Sequence, residues 1–145
     1  MKYAVALSIM FFVLGCAQIN KLPIASATMT KAEVELDVFS GRPNPTWSLS
    51  TNSLDALSEW LVKLPRGRAE ELPNHLGYRG IKVSFEYPDG SNDEVFVFGG
   101  IVRKHAGDSS DYFVDSGRAL ERWLLDTGKS KIPTEVYKAS ISSFP

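Results

Sequence analysis

The sequence predicts an α+β domain, an antiparallel sheet of three to five strands with two or three helices packed on one face. Three observations lead there. Residues 33–38 and 81–87 alternate polar and apolar side chains, the period of a half-buried strand. Leucines recur at helical spacing in 51–64 and again near 120–124. The order strand, helix, several strands, helix lacks the regular alternation that builds a parallel sheet.

The first strand reads Glu33-Val34-Glu35-Leu36-Asp37-Val38, acids on one face and aliphatics on the other, and ends at Ser40-Gly41. Ser40-Gly41-Arg42-Pro43-Asn44-Pro45-Thr46-Trp47 follows. Its two prolines fix φ and hold Arg42 and Asn44 extended, so a stiff loop presents a guanidinium and an amide beside an indole. A helix is predicted over 51–64, with Leu54, Leu57, Leu61 and Leu64 inward, N-cap oxygens at 51–53, and Pro65 as the stop. Residues 66–80 form a polar connection with no regular structure assigned.

Ile81, Val83, Phe85 and Tyr87 alternate with Lys82, Ser84 and Glu86. Pro88-Asp89-Gly90 then turns the chain into Val95-Phe96-Val97-Phe98, a hairpin. Gly99-Gly100 before Ile101-Val102-Arg103 permits either a second tight turn or a bulge within one long strand. Tyr112-Phe113-Val114 reads as one more short strand. Asp115 and Ser116 offer caps for a helix with Leu120, Trp123 and Leu124 inward and Gly128 as its end. Pro133-Thr134 opens a last short helix through Ile141. Trp60, Phe96, Phe98 and Trp123 are expected in the core.

The chain has 145 residues, 43% of them apolar, which is one domain's worth. Lys and Arg number 16 against 17 acids, and a formal charge of −1 gives no reason to expect the basic face that polyanion binding needs, so nucleic acid is not an expected partner. The single cysteine excludes an internal disulfide and a multi-thiolate zinc site.

Residues 1–16 read MKYAVALSIMFFVLGC: Lys2, an eleven-residue apolar run from Ala4 to Leu14 broken only by Ser8, then Gly15 and Cys16. That run is short of the roughly 20 residues a membrane-spanning helix needs, and it has the charged start and apolar middle of an export signal. Val13-Leu14-Gly15-Cys16 resembles the lipobox of bacterial lipoprotein precursors, although Val13 and Leu14 depart from its commonest residues. The resemblance covers the leader alone. It implies cleavage before Cys16 and a diacylglyceryl thioether on its sulfur, hence a membrane-anchored protein of the cell envelope. Cleavage after Ala17, or at Ala25-Ser26-Ala27, would instead release a secreted soluble protein.

The chain thus divides into a signal peptide, 1–15; a lipid-attachment cysteine and tether, 16–32; and a single domain, 33–145. No acid precedes Glu33, and the domain carries 13 Lys plus Arg against 17 acids. As a flexible coil the tether would reach on the order of 20 Å.

Among candidate sites the stiff loop stands out, with Arg42 as the charge, Asn44 as the amide and Trp47 as an apolar wall, because a pre-ordered loop loses little entropy on binding. The structural alternative has Trp47 sealing the core and Arg42 paired with an acid. His75 and His105 lack metal-ligand spacing, and no G-x-S-x-G elbow accompanies the serines. Acidic groups around Asp89-Asn92-Asp93-Glu94 and Asp108-Asp111-Asp115 lack the pattern of a calcium loop and fit turn and capping roles. Gly77-Tyr78-Arg79-Gly80, with no helix predicted after it, is no phosphate loop. No cofactor or metal is expected. The functional expectation is an exported, lipid-anchored small envelope protein acting by binding or structural interaction, with an envelope protein or glycan as its partner. The alternative is a small hydrolase or lyase using His75 or His105 with an Asp.

Overall fold

The computed structural model describes residues 28–69, 76–106 and 108–144. The leader, Cys16 and His75 lie outside the described residues. The chain forms an α+β domain with one six-stranded, wholly antiparallel sheet and three helices. In chain order these are β1 (Lys31–Asp37), β2 (Thr46–Ser48), α1 (Thr51–Lys63), β3 (Gly80–Glu86), β4 (Asn92–Phe98), β5 (Ile101–Ala106), β6 (Ser109–Val114), a 3-10 turn (Ser116–Arg118), α2 (Ala119–Thr127) and α3 (Thr134–Ile141). The strand order is β2-β1-β3-β4-β5-β6.

Six strands exceed the three to five expected, and β2 accounts for the difference. Only three residues long, it is too short to display an alternation, and it lies inside the string read as loop. It pairs Glu33 with Ser48, Val34 with Trp47 and Glu35 with Thr46, placing the indole on the apolar face. β1 also starts two residues early, at Lys31, with Met29 and Ala32 buried, so the folded unit begins inside the stretch read as tether. Gly99 and Gly100, both at positive φ, make a tight turn between β4 and β5, the first of the two options their sequence permits.

Register explains the core. Val34 faces Val83, Val83 faces Val95, Val97 faces Val102 and Val102 faces Phe113, one apolar row after another across the sheet. Leu54, Leu57 and Leu61 of α1 and Leu120, Leu124 and Leu125 of α2 join the same buried cluster. Each such side chain is worth about 1.5–3 kcal/mol on full burial, which makes this cluster the main source of stability. Trp47 is packed so closely on Gly128 that a Cβ there would stand 2.5 Å from its ring, and its Nε1 donates to Thr127 Oγ1 at 2.9 Å.

The opposite face carries Glu33, Glu35, Lys82, Ser84 and Glu94. Phe96 belongs there too, in register with Lys82 and Arg103, rather than in the core; its ring lies over Gly80, where a Cβ would meet it at 2.7 Å. Trp60, Phe98 and Trp123 pack partly buried against the core.

Both sheet edges are limited. Beyond β6, Val114 N–H donates to Pro65 O at 2.9 Å and Gly67 N–H to Tyr112 O at 2.8 Å, covering that edge with the segment after α1. At the other, β2 is short and follows Pro45. Among the described residues no helix is long and apolar enough to cross a membrane.

Candidate functional site: a groove at the exit of β1

The chain leaves β1 through a corner built from polar side chains. Asn44 Oδ1 accepts from Val38 N–H at 3.1 Å and Phe39 N–H at 2.9 Å, while Nδ2 donates to Glu35 Oε1 at 3.0 Å and Asp37 Oδ1 at 3.3 Å. Arg79 fixes the same corner, donating from Nε to Asp37 Oδ2 at 3.1 Å, from Nη1 to Ser40 Oγ at 3.1 Å and from Nη2 to Phe39 O at 2.9 Å. Glu35 also pairs with Lys82 at 2.6 Å; hydrogen bonds from Lys82 and then Asn44 hold its carboxyl below the ordinary range, and the same contact raises Lys82.

The three loop residues singled out in the sequence therefore do not converge. Asn44 has turned inward and spends both ends of its amide on the corner. Trp47 is in the core, 6% exposed, because β2 pairing puts it on the apolar face. Arg42 alone remains at the surface, its guanidinium carbon 3.5 Å from the centroid of the Phe39 ring. Among the described residues it makes no ion pair.

Phe39 and Val38 form one wall of a groove of about 190 Å3. Val136, Ala139 and Ser140 of α3 form another, and Gly77 and Tyr78 close it from the segment before β3. The lining is mainly apolar. Ser140 is 1% exposed, yet its Oγ has no hydrogen-bond partner. Leaving such a group dry and unpaired costs about 1–3 kcal/mol, so the folded chain gains nothing by keeping a hydroxyl there.

Behind the groove the polar groups are fully paired. Tyr78 lines the groove with its ring and donates its hydroxyl to Glu121 Oε1; Glu121 is completely buried. Arg118 donates from Nε to Glu121 Oε2 and from Nη2 to Oε1, both at 2.9 Å, and from Nη1 to Ser143 O at 2.6 Å. Its guanidinium also stacks 3.8 Å from the Phe144 ring centroid. Burial first, then the Glu121 charge, pushes the Tyr78 phenol far above its ordinary range. Asp115, 2% exposed, accepts from Leu120 N–H at 2.9 Å and Glu121 N–H at 3.0 Å, capping α2 across a turn in which Gly117 and Arg118 take positive φ.

Sequence reasoning missed Glu121. The available signal was an acid set one residue after Leu120 and three before Leu124, inside the inward stripe, with Arg118 one turn earlier.

Other candidates are dispersed. His105 lies exposed on β5, with Ser110 Oγ 3.4 Å from its Nδ1. Asp89 accepts from Ser91 within a turn, Asp93 pairs with Lys104 at 2.6 Å, and Asp111 pairs with Arg66 at 2.9 Å. Burial, then the Asp93 charge, pushes the Tyr87 phenol up to about 12. Among the described residues no three His, Cys, Asp or Glu side chains converge as metal ligands would. A larger hollow of about 290 Å3 over β1 and β3 is lined by charged groups, of which Lys82 and Glu35 pair with each other. On the same sheet face Arg103 Nε is buried without an acceptor beside Phe96, with its guanidinium carbon 5.5 Å from that ring's centroid. At the groove by β1 a concave apolar surface and an unpaired buried polar atom fall on the same residues. No protein-family model, curated protein or solved structure matches the chain.

Proposed function

We propose that this is an exported, lipid-anchored envelope protein whose domain acts by binding, seating an apolar side chain of a partner protein in the groove between α3 and the exit of β1. The leader and the lipobox-like Val13-Leu14-Gly15-Cys16 support export and anchoring through Cys16. One observation carries the binding reading: Ser140, a residue lining an apolar groove, has a buried hydroxyl with no partner. The size supports a side chain over a free ligand, since about 190 Å3 is below the roughly 300–1,000 Å3 of small-molecule sites. A pocket of that size suits the single anchor residue around which interface energy concentrates.

Two acyl chains would anchor the domain stably where one binds marginally. The tether would then let the groove search the membrane surface for its partner.

The test is photo-cross-linking in native cells with benzoylphenylalanine at Ala139, on the groove lip, and at Glu59, on the exposed side of α1. The expected result is a discrete adduct from position 139 only, in the membrane fraction, and its loss when Cys16→Ala releases or traps the protein. Equal adducts from both positions contradict a groove-directed partner. A wild-type protein that stays aqueous in detergent partitioning contradicts the anchor.

A further inference from the structure

We infer that the groove reads a free carboxylate together with its apolar side chain, so that the partner presents a polypeptide C-terminus ending in an apolar residue. This rests on the binding reading above and adds the chemistry of the ligand.

Arg79, Arg118 and Arg42 use their guanidiniums differently. Arg79 is bound to Asp37, Ser40 and Phe39 O, and Arg118 to Glu121 and Ser143 O. Both are saturated by partners that hold the fold. Arg42 differs: it lies on the Phe39 ring, 3.5 Å from its centroid, and among the described residues no acid pairs with it. Stacking fixes the plane of a guanidinium and leaves its in-plane N–H fork open, the geometry that receives a carboxylate through two parallel hydrogen bonds. The ring it stacks on is itself a groove wall. A cation held against a residue of that wall favours an anion at the end of whatever the groove accepts.

Three features then have to be met by one ligand. The apolar hollow takes one side chain. Arg42 takes a carboxylate. The Ser140 hydroxyl, both donor and acceptor, lacks a partner inside a dry wall and takes a backbone amide. The terminal residue of a polypeptide carries all three groups on or beside one Cα, and capture of terminal carboxylates is an established recognition mode. An internal peptide segment lacks the charge. A simple fatty acid lacks the amide.

The test uses the 15N-labelled full chain in non-ionic detergent micelles, titrated with N-acetyl-leucine, N-acetyl-leucinamide and hexanoate while backbone amide shifts are followed. N-acetyl-leucine should move the Phe39, Tyr78, Ala139 and Ser140 signals and bind about tenfold more tightly than the uncharged amide, the discrimination that ~1.4 kcal/mol supplies. Arg42→Gln should erase that difference with the rest of the spectrum in place. Hexanoate should bind several-fold more weakly than N-acetyl-leucine in the wild type and equally in Ser140→Ala.

Equal affinity for acid and amide, unaltered by Arg42→Gln, overturns the carboxylate inference and leaves the groove reading standing. Hexanoate matching N-acetyl-leucine overturns the polypeptide identity of the ligand. Groove signals that ignore all three probes and move instead with protein concentration place a second copy there and overturn the inference. Groove signals that respond to nothing overturn the binding reading with it.

Discussion

Arg118 and Arg42 are two arginines stacked on two phenylalanines, and they show opposite economies. Behind the groove Arg118 lies on Phe144, gives two hydrogen bonds to a fully buried Glu121 and another to Ser143 O, and sits at φ 54 to do so. A non-glycine residue in that left-handed region costs on the order of 1 kcal/mol, tolerated because the surrounding contacts over-determine it. Beside the groove Arg42 lies on Phe39, one of its lining residues, and among the described residues pairs with no acid, while the hydroxyl of Ser140, another lining residue, is buried and unpaired. Folding accounts for the first region completely. It accounts for neither polar group in the second, and that residue of unexplained chemistry is what distinguishes a site from a corner.

The largest expected effect breaks the paired region. Glu121→Ala strands the part-buried Arg118 guanidinium and the Tyr78 hydroxyl, and removing one partner of a buried ion pair costs about 3–5 kcal/mol, an upper figure here because Arg118 keeps some contact with solvent. The melting midpoint should collapse accordingly, with Glu121→Gln recovering part of it through retained hydrogen bonds. A loss below about 1 kcal/mol would mean the network does not hold the fold.

Next comes Asn44→Ala. The amide closes four contacts at the exit of β1, two of them to the part-buried backbone N–H groups of Val38 and Phe39. Losing them should cost about 1–3 kcal/mol, read from denaturant midpoints. Arg42→Ala in the same assay should change stability by less than about 0.5 kcal/mol. The two neighbours, alike in the sequence as loop-tip polar residues, would then separate into architecture and recognition. Similar losses from both would return Arg42 to the corner.

A smaller effect concerns pH. The Glu35 carboxyl is held below its ordinary value, so its contribution is present in full above pH 4.5 and is lost as pH falls through the lowered value. Lys82, raised above 10.5, keeps its share until pH rises through that higher value. The pair is about a third exposed, so the contribution stays within about 1 kcal/mol after solvent screening. Glu35→Gln should lower stability at neutral pH by up to about 1 kcal/mol and flatten the acid limb below pH 4.5, so that variant and wild type converge at low pH. An unchanged acid limb would show that the corner does not depend on this charge.

How much of this was legible follows the physics of each element. β1, β3 and α1 could be read because burial imposes a period on several consecutive residues, and Val34, Val83 and Leu57 all sit where that period puts them. β2 could not, since three residues carry no period and its place depends on pairing with β1. Phe96 was misplaced because it continues a run, Val95-Phe96-Val97-Phe98, that is apolar on both faces, so alternation does not say which side is covered.

The loop string was legible as stiff, and its prolines do flank a built corner. Which of its tips stays free was not legible, because Asn44 is consumed by backbone groups of Val38 and Phe39 that no spacing rule connects to it. The groove itself joins residues 38–39, 77–78 and 136–140, three segments brought together only by tertiary packing.

The central claim is that the unpaired polar groups at the groove serve a ligand rather than the fold, and Ser140→Ala tests it most directly. Thermal melts and the N-acetyl-leucine titration would be run on the same protein. The expected midpoint equals wild type or lies above it, with stability gained by up to about 1 kcal/mol because a buried unsatisfied hydroxyl is removed, together with a several-fold loss of affinity. A midpoint lowered by several degrees with affinity unchanged would contradict it and make Ser140 part of the architecture.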